Sequence, residues 1–367
     1  MKVLVTGATG YIGSSIARSL IKQGLALRLL VRDPRRLGAG LEAAVVHLGD
    51  VGEPEAMAAA AQGCDAVVHA ASEAIPRSDE RVLKWVNIAG TENVINAARY
   101  AGCRRLIYLS CADVTLTNCD RLNWNEERRP DRPLLGAHAR SKKLAEEVAL
   151  ASSTPAMEVV ALRPAWVWGP GDVSVLPRLC QEAINEHGLS MCGSGRNYLA
   201  TTYIDLISAA VAGALNQPDV AGKAYYITDL TQAPAAEFLQ ALSVAVGIPM
   251  PRKGRAKLEF ISACYREALH KPGLAPSEVV RRSRHSLFDV QRAVKDLGIT
   301  PTQQLAPGMR ALKCWVSDAG GANGLARLVR PPKAASAVDA QVKAAGGDKP
   351  SELLRVSDNQ HRSAREA

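Results

Sequence analysis

The strongest constraint on this chain lies in its first thirteen residues. An apolar run over residues 1–5 leads directly into Thr6-Gly7-Ala8-Thr9-Gly10-Tyr11-Ile12-Gly13, and a helical pattern begins inside that segment. Glycines at these positions let the strand turn sharply, let backbone approach a ligand, and let the helix pack on the strand it has just left. Amides in a helix's first turn have no partner within the helix and sit at the positive end of its dipole, so they hold an anion well. Strand, glycine spacing and amphipathic helix together define a diphosphate-binding elbow of a dinucleotide site, built from Gly7, Thr9, Gly10, Tyr11, Ile12 and Gly13. The competing reading, a glycine-rich turn without a ligand, leaves that combination unexplained.

Short apolar runs at 26–31, 44–47, 65–69, 104–109 and 159–163 alternate with helical stretches, notably 82–100 and 138–151. That alternation is the pattern of βαβ units on a parallel sheet. The expected fold class is α/β: a Rossmann-type doubly wound parallel sheet with a smaller mixed α/β C-terminal substrate lobe. In the later half a strand at 225–227 and helices at 235–246 and 258–268 stand out. The expected division is a dinucleotide-binding domain over 1–172 with parts of 200–230, a substrate-binding lobe over 173–316, and a flexible tail over 317–367, where periodicity fades.

The residue after the second strand decides which adenosine the groove reads. An acidic side chain there would bond a ribose 2′-hydroxyl, but this chain has Arg32, with Arg35 and Arg36 close by. A guanidinium presents paired donors to phosphate oxygens, so NADP is expected ahead of NAD. In the competing reading Asp33 turns in to serve the ribose and Arg32 stays exposed.

Formal net charge is +9, and the excess sits in residues 250–367, with 21 Lys and Arg against 11 Asp and Glu. These charges are scattered, and aromatic residues make up only 4% of the chain, which argues for a solvated surface and against a specific nucleic-acid partner. The eight cysteines include no CxxC pair, so no metal site is expected and the thiols read as reduced. No signal-peptide pattern opens the chain, and no apolar run reaches the roughly 18 residues of a membrane span. A cytoplasmic protein with a small-molecule substrate is the expectation.

Further marks accumulate along the chain. Gly49-Asp50-Val51 follows the third strand and His69-Ala70-Ala71 the fourth. Asn87-Ile88-Ala89-Gly90-Thr91-Glu92-Asn93, Leu162-Arg163-Pro164, Gly169-Pro170-Gly171-Asp172 and Tyr203-Ile204-Asp205 come later. With these marks the chain resembles, over residues 1–316, the extended short-chain dehydrogenase/reductase family, nearest its 3β-hydroxysteroid dehydrogenase and dihydroflavonol reductase branch and the sugar-epimerase relatives. The resemblance implies that Asp50 and Val51 flank the adenine, Ala70 and Ala71 the pyrophosphate and nearby ribose, and Pro164 with the segment after it the nicotinamide. It implies a homodimer formed through the helices at 82–100 and 138–151. It also implies a catalytic serine after the fifth strand and a tyrosine four residues before a lysine. The lysine is present as Lys142, but His138 stands in the tyrosine position and Cys111 in that of the serine, with Ser110 one residue early.

Imidazole moves protons near neutral pH. The expected activity is therefore an NAD(P)-dependent oxidoreductase acting on a carbonyl or hydroxyl group of a small, partly apolar molecule. His138 would be the acid/base, Lys142 would hold the ribose, and Cys111 or Ser110 would touch the substrate oxygen. Two features oppose it: imidazole is shorter than phenol, and a cationic Lys142 disfavours imidazolium. The alternatives are an altered chemistry (epimerase, isomerase or lyase) and a dinucleotide-binding regulator without turnover. Cys111 reads either as a small buried residue or as an activated thiol. Trp166 and Trp168 read as a wall beside the nicotinamide or as core, and Glu126 matches a family position at the substrate rim. Specificity is expected from residues 115–135, 173–197 and 258–271.

Overall fold

The computed structural model describes residues 1–75, 78–230, 233–271, 273–301 and 305–331. The chain runs β1 (Lys2–Thr6), α1 (Tyr11–Lys22), β2 (Ala26–Val31), β3 (Val45–Leu48), α2 (Pro54–Ala61), β4 (Ala66–His69), α3 (Glu80–Lys84), a π-helical turn (Trp85–Ala89), α4 (Gly90–Tyr100) and β5 (Arg105–Leu109). It continues with β6 (Arg121–Trp124), α5 (Ala137–Ala151), β7 (Glu158–Pro164), β8 (Trp166–Trp168), α6 (Leu176–Asn185), β9 (Thr201–Tyr203), α7 (Ile204–Asn216) and β10 (Ala224–Ile227). The last part holds α8 (Ala235–Val246), α9 (Ala256–Ala268), α10 (Pro276–Ser283), β11 (Ser286–Phe288), α11 (Gln291–Leu297), α12 (Leu305–Asp318) and α13 (Gly321–Ala326).

Seven strands form one parallel sheet in the order β10-β7-β5-β4-β1-β2-β3. Both faces are covered, as a parallel sheet requires. Side chains alternate between two cores: Val3, Val5, Ile107, Val160 and Leu162 face the cluster that includes Ile16 and Leu20 of α1 and Ile207 and Val211 of α7. Leu4, Val67, Leu106, Val159 and Ala161 face the other, built with Met57 of α2, Val94 of α4 and Ala145 of α5. Truncating one of these leucines to alanine costs about 2–5 kcal/mol. Strand order reverses at β1, between β4 and β2, and in such sheets a ligand crevice opens at that switch.

Two short parallel pairs, β6 with β11 and β8 with β9, form separate two-stranded sheets beside this one. They were not legible in advance, because three- and four-residue strands with distant partners leave no periodicity. The expected tail also differs in part. Over its described residues, 317–331, the segment contains the end of α12 and all of α13, whose Leu325 is completely buried. One apolar side chain amid glycines and alanines carries little sequence signal, yet it anchors that turn in the main core. Residues 332–367 lie outside the described residues.

Candidate functional site

A groove of about 160 Å³ runs over the C-terminal ends of β1, β2 and β4, lined by Gly7, Thr9, Gly10, Asp50, Val51, Ala70 and Ala71 among others. Its floor needs glycine. Gly7 has φ +77°, and a Cβ there would lie 2.6 Å from the Ala71 amide nitrogen. A Cβ on Gly13 would lie 2.2 Å from the Gly7 carbonyl oxygen, so α1 could not seat against the turn. Gly10 caps α1 without a side-chain hydrogen bond, and no acidic residue occupies the first turn. The first-turn amides, those of Tyr11, Ile12 and Gly13, are therefore left for an external acceptor. Pro164, the last residue of β7, is paired with Ile227 and buried, and does not line this part of the groove.

At the adenosine end the guanidinium groups divide. Arg35 is held by the Asp33 carboxylate, its Nε at 2.9 Å and Nη2 at 3.1 Å from the two oxygens. Asp33 also accepts the Arg35 amide at 3.1 Å, which occupies it as a cap. Arg32 and Arg36 line the groove, with Arg32 3.4 Å from Asp50. Arg330, from the segment after α13, lines it as well.

Farther along, the ends of β5 and α5 bring Cys111, Asp113, His138 and Lys142 together. Lys142 is almost fully buried and donates to the Leu109 carbonyl at 2.6 Å, with its ammonium 4.3 Å from the centre of the Tyr108 ring. Burial pulls its pKa down to about 8, which leaves it mostly cationic at neutral pH. One helical turn on, Glu146 of α5 pairs bidentately with Arg163 of β7 at 2.9 and 2.6 Å, fixing α5 on the sheet.

His138 is set by a chain of hydrogen bonds that begins at the elbow. Thr6 Oγ1 meets His69 Nδ1 at 2.8 Å, and His69 Nε2 meets Thr91 Oγ1 at 3.0 Å. Thr91 donates to the Asn87 carbonyl, and the Asn87 amide bonds both the NH and the C=O of Glu73. The Glu73 carbonyl lies 3.1 Å from His138 Nδ1. A carbonyl only accepts, so Nδ1 carries the proton and Nε2 presents a lone pair. Burial first, and the Lys142 charge second, pull the His138 pKa down to about 4. His138 is thus a neutral, oriented imidazole rather than a free helix-surface residue.

Asp113 ion-pairs with Arg281 of α10, and Arg121 donates to the Ala112 carbonyl at 3.1 Å while its guanidinium stacks over Phe288 at 5.1 Å. These two contacts pin the loop that carries Cys111. These residues were missed in the sequence, since Asp113 and Arg281 are 168 positions apart and nothing local links them. A separate cleft of about 660 Å³, lined by none of Cys111, Asp113, His138 and Lys142, opens between α6 and α10, with Val175, Leu179 and Leu274 on its walls and both cations (Arg178, Arg252, Lys253, Arg266) and carboxylates (Glu182, Glu186, Glu259, Glu278) around it. Arg178 is paired with Glu278 and Arg252 with Glu186, while Lys253 and Arg266 have no carboxylate partner among the described residues.

Other expectations change. Trp168 is core: its indole donates to Asp229 at 2.8 Å and packs edge-on against Tyr203 and Phe238, and Trp166 packs against the same Phe238. Cys111 is not an activated thiol, because burial pushes its pKa up to about 12 and outweighs Lys142. Ser110 is buried beside Glu146. Glu126 is buried too, accepting the Tyr226 amide at 2.8 Å, so it ties β10 in place rather than forming a rim.

The sheet and its glycine elbow define the class, a Rossmann-type enzyme of the extended short-chain dehydrogenase/reductase group. The family model for the 3-beta hydroxysteroid dehydrogenase/isomerase family matches residues 4–258, and the chain belongs to that family. It is 30% identical over 339 residues to a 2-alkyl-3-oxoalkanoate reductase of Stenotrophomonas maltophilia, covering 85% of this chain and 98% of that one. It is 26% identical over 319 residues to a 3-beta-hydroxysteroid dehydrogenase of Mycolicibacterium neoaurum, covering 82% and 87%. Among solved structures, MoeE5 in complex with UDP-glucuronic acid and NAD superposes with a TM-score of 0.69 at 22% identity, over 87% of this chain and 100% of that one, which shows the shared fold. The chain is accordingly an oxidoreductase working at a carbonyl or hydroxyl group. Among the described residues no helix is long and apolar enough to cross a membrane.

Proposed function

We propose that the protein is an NADP-dependent oxidoreductase in which His138 replaces tyrosine as the acid/base. The observation that carries this reading is the hydrogen-bonded chain from Thr6 to His138, which couples the elbow to an imidazole whose Nε2 is free to take a proton. Support for a dinucleotide in the groove comes from Gly7 and Gly13, where a Cβ would clash, and from the uncapped α1, and support for a 2′-phosphate from Arg32 and Arg36 on its lining. When bound, the nicotinamide supplies or receives hydride. The chain's own residues do the rest. The amides of Tyr11 and Ile12 hold the diphosphate, Asp50 and Val51 border the adenine, and Lys142 reaches the ribose. His138 Nε2 accepts the hydroxyl proton in oxidation, and Cys111 contacts the substrate oxygen as a weak donor.

The substrate class follows from the cleft beside α10. A volume of about 660 Å³ suits a molecule of modest size. Apolar walls with Lys253 and Arg266 unpaired suit an apolar chain carrying an anionic group, and a 3-oxo acid has both. The name of the Stenotrophomonas relative denotes a substrate of this kind. A dimer through α3, α4 and α5 is part of the proposal and is checked by sedimentation. The test of function is NADPH oxidation across a panel of 3-oxo acids and ring ketones. Turnover that is lost in His138→Ala and regained in His138→Tyr supports the assignment, and tight NADPH binding without turnover on any member opposes it.

A further inference from the structure

We infer that Arg330 is a cofactor-specificity residue: the segment following α13 places its guanidinium over the adenosine end of the groove, where it completes, with Arg32 and Arg36, a three-sided cation cradle for a 2′-phosphate. This rests on the NADP reading above and extends it to a part of the chain far from the nucleotide motifs.

The placement comes from packing. Leu325 is completely buried in the main core, and Ala322 and Ala326 pack against the same cluster, so α13 is fixed on the body of the protein. The turn continues beyond the helix, with the Leu328 amide bonded to the Leu325 carbonyl at 2.8 Å and the Val329 amide to the Ala326 carbonyl at 3.5 Å. Arg330 then lines both the groove, beside Arg32 and Arg36, and the cleft, together with Val329. The segment therefore crosses from the substrate side to the adenosine side.

Charge accounting points to the ligand. Arg35 is already held by Asp33, and Arg32 shares Asp50, but Arg36 and Arg330 have no carboxylate partner among the described residues. Arg36 feels this: burial first, then the charges of Arg330 and Arg32, disfavour its protonated form. Three guanidinium groups and one carboxylate leave a net charge of about +2, and a phosphate monoester at neutral pH carries roughly −1.5 to −2. A dinucleotide without the 2′-phosphate leaves that net charge of about +2 uncompensated. Three guanidiniums gathered at one rim make sense for an anion that bridges them.

The experiment is calorimetric titration of the full chain with NADP+, NAD+, 2′-AMP and 5′-AMP at low ionic strength, for wild type, Arg330→Ala, Arg330→Lys and Arg32→Ala. Arg330 is exposed, so thermal melts of the variants should match wild type. The expected result is a rise of about tenfold in Kd for NADP+ and 2′-AMP in Arg330→Ala, the loss of one charge-assisted contact. NAD+ and 5′-AMP should be unchanged, and Arg330→Lys should recover part of the loss. Unchanged NADP+ and 2′-AMP affinity in Arg330→Ala, with a loss in Arg32→Ala, overturns the role of Arg330 and leaves the NADP reading standing. Equal losses for NADP+ and NAD+ also overturn it, because the effect is then structural. Wild-type protein that binds NAD+ as tightly as NADP+ overturns both.

Discussion

If His138 is the proton donor in carbonyl reduction, that reaction must be starved of acid at neutral pH. With a pKa of about 4, the imidazole is protonated only about once in a thousand at pH 7. Three pH units at 1.36 kcal/mol each amount to about 4 kcal/mol, comparable with the 10²- to 10⁴-fold that a well-placed general acid contributes. The sign follows from the lowered pKa: the basic form dominates above about pH 4, so oxidation proceeds unhindered while reduction gains about tenfold per unit as pH falls from 7 to 5. The assay is initial-rate kcat/KM in both directions across pH 5 to 9 with a substrate from the panel above. In His138→Tyr the slope in the reductive direction should vanish, since a phenol stays protonated throughout this range. A reductive profile that is flat from pH 5 to 7 and falls only above about 8 would refute the argument, because Lys142, at about 8, would then be the proton source.

Three further outcomes are expected. Arg32→Asp should weaken NADP+ binding by roughly 10- to 100-fold and improve NAD+ binding, measured by calorimetry; retained NADP+ preference contradicts the role of Arg32. Glu146→Gln should destabilise the fold by about 3–5 kcal/mol in urea unfolding by breaking a buried pair with Arg163, which has a free Nη1 and no spare acceptor. Burial raises the Glu146 pKa, but the Arg163 bonds and charge outweigh it and hold the carboxyl low, so this stabilisation is present above about pH 4.3 and fades as pH falls. The variant should show a flatter acid limb than wild type. Cys111→Ser should raise kcat several-fold, because a hydroxyl donates more strongly than a thiol held protonated by burial, whereas a complete loss would mean that the sulfur itself is needed.

What the sequence made legible was local and periodic. The elbow, the strands alternating between two cores and the helix bearing Lys142 all follow from residue spacing, and β2 and α8 lie where the apolar runs placed them. Arg32 could be read because it stands next to a strand end. What stayed hidden depends on residues distant in the chain. The Asp113–Arg281 and Arg121–Ser286 contacts, the short β6–β11 pair and the return of Arg330 to the groove are all set by tertiary packing. Trp166 and Trp168 illustrate a different limit: an aromatic after a strand suits a ligand wall and a core equally, and only Phe238 and Asp229, far along the chain, decide for the core. His138 was visible as a substitution, but its tautomer depends on where the Glu73 carbonyl falls.

The most direct test of the account is a crystal structure of the chain with NADPH. It should show the diphosphate on the amides that open α1, the 2′-phosphate between Arg32 and Arg36, and His138 Nε2 facing the nicotinamide ring. A nucleotide bound with its nicotinamide turned away from His138, or no nucleotide in the groove at saturating concentration, would contradict it.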